Sequence, residues 1–130
     1  MPKRDIKAFL YDILSYMDDI INFTKDMDYE EFINNKAIKY AVIRCLEVIG
    51  EAVKKIPEDI RDKYPHVPFR ELAGMRDKLI HQYFGVDYLT VWETAKYEIP
   101  EIKKEFEKII KDIEGEDENT LWNKRNPKKA

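Results

Sequence analysis

The stretch Arg4-Asp5-Ile6-Lys7-Ala8-Phe9-Leu10-Tyr11-Asp12-Ile13-Leu14-Ser15-Tyr16-Met17-Asp18-Asp19-Ile20-Ile21-Asn22-Phe23 decides the fold class. Its apolar residues Ile6, Phe9, Leu10, Ile13, Met17, Ile20 and Ile21 recur at three- and four-residue steps, which on a helix gathers them into one stripe. The same period returns in Ile38, Ala41, Val42, Cys45, Leu46, Ile49, Val53 and Ile56, closed before Pro57. Between these two long helices, Asp26-Met27-Asp28 and the acidic turn Tyr29-Glu30-Glu31-Phe32 predict a short extra helix, and Asn34-Asn35 can break and restart the chain.

Downstream, Pro57, Pro65 and Pro68 mark the main connecting loop, in which Glu58 to Lys63 can form one or two helical turns. Pro68 suits the start of a further helix over 68–84, with Leu72, Met75, Leu79 and Tyr83 as its core stripe and Gly85 as its stop. A last segment opens at Asp87, a candidate cap, and carries apolar residues at helical spacing to Ile113; Pro100 should kink or split it. A strand over Tyr83–Trp92 is the competing reading, since aromatic and β-branched residues cluster there, but alternation fails and no partner strand is visible. The expected architecture is all-α: an up-and-down bundle of four main helices with a short extra helix. A helical domain over 1–114 is followed by a flexible, charged C-terminal tail over 115–130, in which Trp122 can pack back or meet a partner.

The chain has 130 residues, enough for one domain with its own core. With 23 Lys+Arg against 26 Asp+Glu and a net charge of −3, it is not a strongly basic nucleic-acid binder, although a local basic cleft is compatible with that balance. No apolar run approaches the roughly 20 residues needed to cross a bilayer, and the N-terminus lacks the apolar core of a secretion signal. A cytoplasmic protein is expected. The single cysteine, Cys45, has no partner for a disulfide and reads as a small buried hydrophobe.

Only His66 and His81 can carry imidazole chemistry. His66 sits between Pro65 and Val67-Pro68 with no acidic neighbour in sequence, and reads as a surface or helix-entry residue. His81 has Asp77 four residues earlier, about 40° away around an ideal helix, so the carboxylate can orient the ring. Arg76 is offset from His81 by about 140° and Tyr83 by about 160°, so one helix cannot converge all three groups. Two antiparallel copies of this helix meeting at a cleft would place Arg76 and His81 of one chain near their copies in the other, which makes a homodimer attractive. The bland alternative, a solvated and salt-bridged face formed by Arg76, Asp77, Lys78 and His81, stays open on spacing alone. Arg44, Glu47 and Glu51 share a face of the 38–56 helix and read as a structural ion pair. Isolated glycines exclude a phosphate-binding loop, the lone Ser15 gives poor support to a serine hydrolase, and a metal site built from Asp77, His81 and a third ligand is conceivable but has no His-Glu-x-x-His pair or dense carboxylate set behind it.

Arg76-Asp77-Lys78-Leu79-Ile80-His81-Gln82-Tyr83 runs as Arg, four residues, His, one residue, Tyr, and resembles the signature of HepT-like toxins of the HEPN superfamily. Ile49-Gly50-Glu51-Ala52, the segment Tyr64 to Met75, and Tyr83 to Tyr88 with Val91-Trp92 resemble that family in order and spacing, so the likeness covers roughly residues 4–112. The resemblance implies a homodimeric, metal-independent endoribonuclease without a cofactor. It would be the toxin of a toxin–antitoxin pair whose antitoxin is a minimal nucleotidyltransferase. It carries Arg76 and His81 over as catalytic residues and Tyr83 as the residue modified with AMP. Asp77 would then support His81, and Lys78 and Arg70 would help to bind RNA in a shared groove. The alternative is a non-catalytic helical module that docks a nucleotidyltransferase and assists its substrate or nucleotide binding.

Overall fold

In the computed structural model the chain is described over residues 3–81 and 85–125, with side chains for residues 5–79 and 85–115. The two long amphipathic stretches form α1 (Lys3–Thr24) and α3 (Lys36–Val53), joined by the short α2 (Tyr29–Asn34). Local chemistry sets these boundaries. Asp26 takes a positive φ of 61° just after α1. The Asp28 carboxylate accepts from the Glu31 N–H at 2.8 Å while Glu31 accepts from the Asp28 N–H at 3.2 Å, a reciprocal cap that starts α2. Asn35 ends α2 through its N–H to the Phe32 carbonyl and starts α3 through its side-chain oxygen, which accepts from the Ile38 N–H at 3.0 Å.

The loop after α3 contains α4 (Glu58–Lys63) and is fastened to the far side of the bundle. The Tyr64 hydroxyl donates to Asp112 at 2.6 Å, His66 meets Glu105 at 2.6 Å, and the Phe69 ring sits edge-on to Phe106 at 5.7 Å. These contacts fix where α5 (Phe69–His81) begins. Asp87 caps α6 (Tyr88–Glu93) by accepting from the Thr90 N–H, so the candidate strand is helical from Tyr88 on, and no strand occurs among the described residues. Pro100 does not split the last segment. A π-turn over Thr94–Glu98 precedes it, and the helix continues as α7 (Ile99–Arg125). The wider turn accommodates a residue that has no N–H to bond back and whose ring crowds the preceding turn.

The stretch expected as a flexible tail is helical as far as Arg125, so the boundary placed at 114–115 falls inside α7. Glu116, Glu118, Leu121 and Lys124 are good helix formers, and Gly115 alone does not stop the helix. The side chain of Trp122 and residues 126–130 lie outside the described residues.

One core unites the elements. Leu10, Ile13, Met17 and Ile20 of α1, Val42, Leu46, Ile49 and Val53 of α3, and Phe106, Ile109 and Ile110 of α7 are buried together, with Phe32 and Trp92 closing one end. Each fully buried aliphatic side chain contributes about 1.5–3 kcal/mol relative to exposure. Helix α1 lies against both α3 and α7, and α3 packs on its other side against α5. That last pairing positions the site.

Candidate active site

Helix α5 approaches α3 at a single small residue. A Cβ placed on Gly50 would lie 2.3 Å from the Arg76 Cβ and 2.8 Å from the Leu72 carbonyl oxygen, so only glycine lets the two backbones meet at this crossing. Arg76 is thereby seated on the α3-facing side of α5, its side chain 27% exposed. The next residue of α3, Glu51, ion-pairs across the helices: its Oε2 lies 3.1 Å from Arg76 Nη2. On the other side, Arg76 Nη1 donates to Asp77 Oδ1 at 3.1 Å, and Lys54 Nζ donates to that same oxygen at 2.5 Å. Glu51 of α3, Arg76 and Asp77 of α5, and Lys54 at the C-terminal cap of α3 thus form a ladder of alternating charge. The Lys54 ammonium, and after it the Arg76 guanidinium, holds the Asp77 carboxyl below the usual carboxylate range.

A guanidinium tethered in this way keeps N–H donors that neither acid uses, arranged in a rigid fork suited to a phosphate. His81 closes α5 five residues further on, about 7.5 Å along the helix axis. Its side chain lies outside the described residues, as does Tyr83. Of the Asp77 carboxylate expected to orient His81, Oδ1 is engaged by Lys54 and Arg76.

The basic residues expected to share one groove are not brought together within a single chain. Lys78 borders a cleft of about 410 Å³ between α5 and α6, with Met75, Leu79 and Val91 on its apolar side and Glu71 and Asp87 at its rim. Arg70 lines a different depression with Arg61, Asp62 and Glu71. Helical geometry explains the separation, since a residue two positions on lies about 200° around the axis and Lys78 therefore faces away from Arg76.

Sequence reasoning placed Glu51 with Arg44 and Glu47. Arg44 pairs with Glu47 at 3.3 Å on the surface, whereas Glu51 crosses to α5. Lys54 was not singled out. The available signal was Gly50, an isolated glycine inside a helical pattern, which marks a close approach. His66 is exposed and paired with Glu105, in keeping with a surface role, and the pairing lowers the Glu105 pKa. Cys45 is buried, which pushes its thiol up to about 11. Among the described residues no group of three or more His, Cys, Asp or Glu could hold a metal ion, and no helix is long and apolar enough to cross a membrane.

The family described as "Ribonuclease HepT-like" matches residues 13–109. "Putative RNase MJ1216" of Methanocaldococcus jannaschii is 92% identical over 121 residues, covering 93% of this chain and all of that protein. "Probable ribonuclease HepT" of Thermococcus cleftensis is 49% identical over 84% of this chain and 99% of its own length. "Putative RNase TTE0752" of Caldanaerobacter subterraneus is 44% identical over 80% of this chain and 93% of its own. No solved structure matches significantly.

Proposed function

We infer the chemistry of this site from one premise: the chain belongs to the ribonuclease HepT-like family. It is an endoribonuclease, and the finer reading is a metal-independent toxin that works as a homodimer. The observation that carries the assignment to α5 is the seating of Arg76. Gly50, Glu51 and Asp77 hold a guanidinium with donors to spare on the helix that ends at His81.

In this reading Arg76 binds the scissile phosphate and stabilises the charge that builds on the pentacoordinate transition state. The ribose 2′-oxygen attacks phosphorus, the bond to the 5′-oxygen of the next nucleotide breaks, and a 2′,3′-cyclic phosphate and a 5′-hydroxyl result. A histidine, with an ordinary pKa of about 6.5, can take the 2′-hydroxyl proton and another can protonate the leaving oxygen at neutral pH. A two-fold pair of α5 helices would supply both imidazoles, one from each copy. With a net charge of −3 spread over the chain, RNA binding relies on local cations such as Arg76, Lys78 and Arg70 and weakens with salt.

The proposed control is covalent. A nucleotidyltransferase antitoxin transfers AMP to Tyr83, and the added phosphate competes with RNA for Arg76 while the nucleoside blocks the groove. Such a toxin acts in the cytoplasm, where its RNA is.

The test is cleavage of labelled RNA in EDTA by the wild-type chain, Arg76→Ala and His81→Ala, with the matching DNA as a control. Cleavage by the wild type alone, with DNA intact because it lacks the 2′-hydroxyl, supports the reading. Equal cleavage by all three rejects the site, and no cleavage by any favours the docking-module alternative. Intact-mass measurement after co-expression with a candidate nucleotidyltransferase tests the second claim: an AMP adduct that persists in Tyr83→Phe removes the regulatory role.

A further inference from the structure

We propose that Glu51 is a positioning residue for Arg76, acting from α3 to aim the guanidinium at the RNA phosphate. The inference rests on Arg76 being the phosphate-binding residue. Three observations converge on it. First, Glu51 is not consumed locally, because Arg44, its candidate partner on the same face of α3, is paired with Glu47, and the Glu51 carboxylate lies 3.1 Å from Arg76 on the neighbouring helix. Second, Gly50 brings α5 so close that the Arg76 Cβ and Cγ lie at the α3 backbone, one residue before the Glu51 that its Nη2 meets. Third, Asp77 cannot do this alone. It is the sequence neighbour of Arg76 on the same helix, and its Oδ1 is shared with Lys54 at 2.5 Å, so it anchors one edge of the guanidinium while Glu51 sets the other.

A long arginine side chain held through both terminal nitrogens has less rotational freedom to lose when substrate arrives, and it keeps N–H donors that neither acid uses. This differs from a merely electrostatic role. An acid beside a phosphate path repels RNA, so on charge alone removing Glu51 should tighten RNA binding and leave or improve turnover. Positioning predicts the opposite for turnover, and the two roles therefore separate in kcat against KM.

The experiment measures kcat and KM for one RNA substrate with full-length wild type, Glu51→Ala, Glu51→Gln and Glu51→Asp, beside Arg76→Ala, each checked for native helicity and melting temperature. Glu51→Ala is expected to lower kcat by about 10- to 100-fold with KM unchanged or lower, the size of effect that misplacing a catalytic group produces. The shape-conserving Glu51→Gln should lose less, and Glu51→Asp should recover part of the activity. A second readout uses free guanidinium as a replacement side chain. Guanidinium at non-denaturing concentration should restore some cleavage to Arg76→Ala, and less to the Arg76→Ala/Glu51→Ala double variant. Glu51→Ala and Glu51→Gln with wild-type kcat, while Arg76→Ala is dead, overturn this inference alone. Arg76→Ala with wild-type kcat overturns the role of Arg76 itself, and the inference with it.

Discussion

The Glu51 carboxylate and the Arg76 guanidinium stand 3.1 Å apart across the α3–α5 crossing, one residue away from the glycine that permits that crossing. The packing of two helices and the orientation of the cation proposed to bind phosphate are therefore one structural problem, and a change in either reaches the other.

Gly50→Ala is the most direct probe of that coupling. Its new methyl group would lie 2.3 Å from the Arg76 Cβ and 2.8 Å from a backbone carbonyl, so α5 must move away from α3. Overpacking of this kind costs about 1–3 kcal/mol. Thermal melting should register the loss, and RNA cleavage should fall with it because Arg76 shifts relative to Glu51. An unchanged melting temperature would refute the tight crossing.

Phe106→Ala tests the opposite side of the bundle. Phe106 is fully buried and holds Phe69, the first residue of α5, edge-on. Truncation should cost about 3 to 5 kcal/mol, read by urea unfolding. A cost under about 1 kcal/mol would mean that the α5 entry does not depend on this contact.

Acid should weaken the charge ladder in a defined direction. The Asp77 carboxyl is held below its ordinary value of 3.8 by Lys54 first and Arg76 second. A carboxylate whose pKa falls on folding contributes stability that is complete above its unfolded value and is lost as pH drops through the lower folded value. Urea unfolding from neutral pH downward should therefore show Asp77→Asn losing less stability than wild type below about pH 4. Parallel curves for the two proteins would show that the ladder does not couple to folding.

Cys45 should be inert in the native state. Burial raises its thiol to about 11, and only the thiolate reacts. Near pH 8 a disulfide-exchange reagent should label the folded protein roughly 100-fold more slowly than the chain in denaturant. Comparable rates would contradict its place in the core.

Much of the fold was legible in residue order because its information is local. The stripe from Ile6 to Ile21, the restart at Asn34-Asn35 and the cap at Asp87 are each written within a few consecutive residues and appear as α1, the α2–α3 boundary and the start of α6. Pro100 was harder, since the cost of a missing N–H is plain but the π-turn that absorbs it depends on how the surrounding helix packs. At the candidate site, the residue types were visible and their partners were not. Glu51 was grouped with Arg44 and Glu47 because helical spacing displays neighbours on the same helix only.

The amino-acid sequence by itself determined the main helices up to Ile113, the apolar stripes of the two long ones and which helix carries Arg76, Asp77 and His81, because periodicity and capping act over a turn or two of chain. Only the tertiary structure decided that Glu51 and Lys54 complete the surroundings of Arg76 and that Arg70 lines a depression apart from the cleft that Lys78 borders. Which turn of α3 meets which turn of α5 depends on where the glycine allows contact and on how the connecting loop is pinned to α7, and both depend on residues distant in the chain.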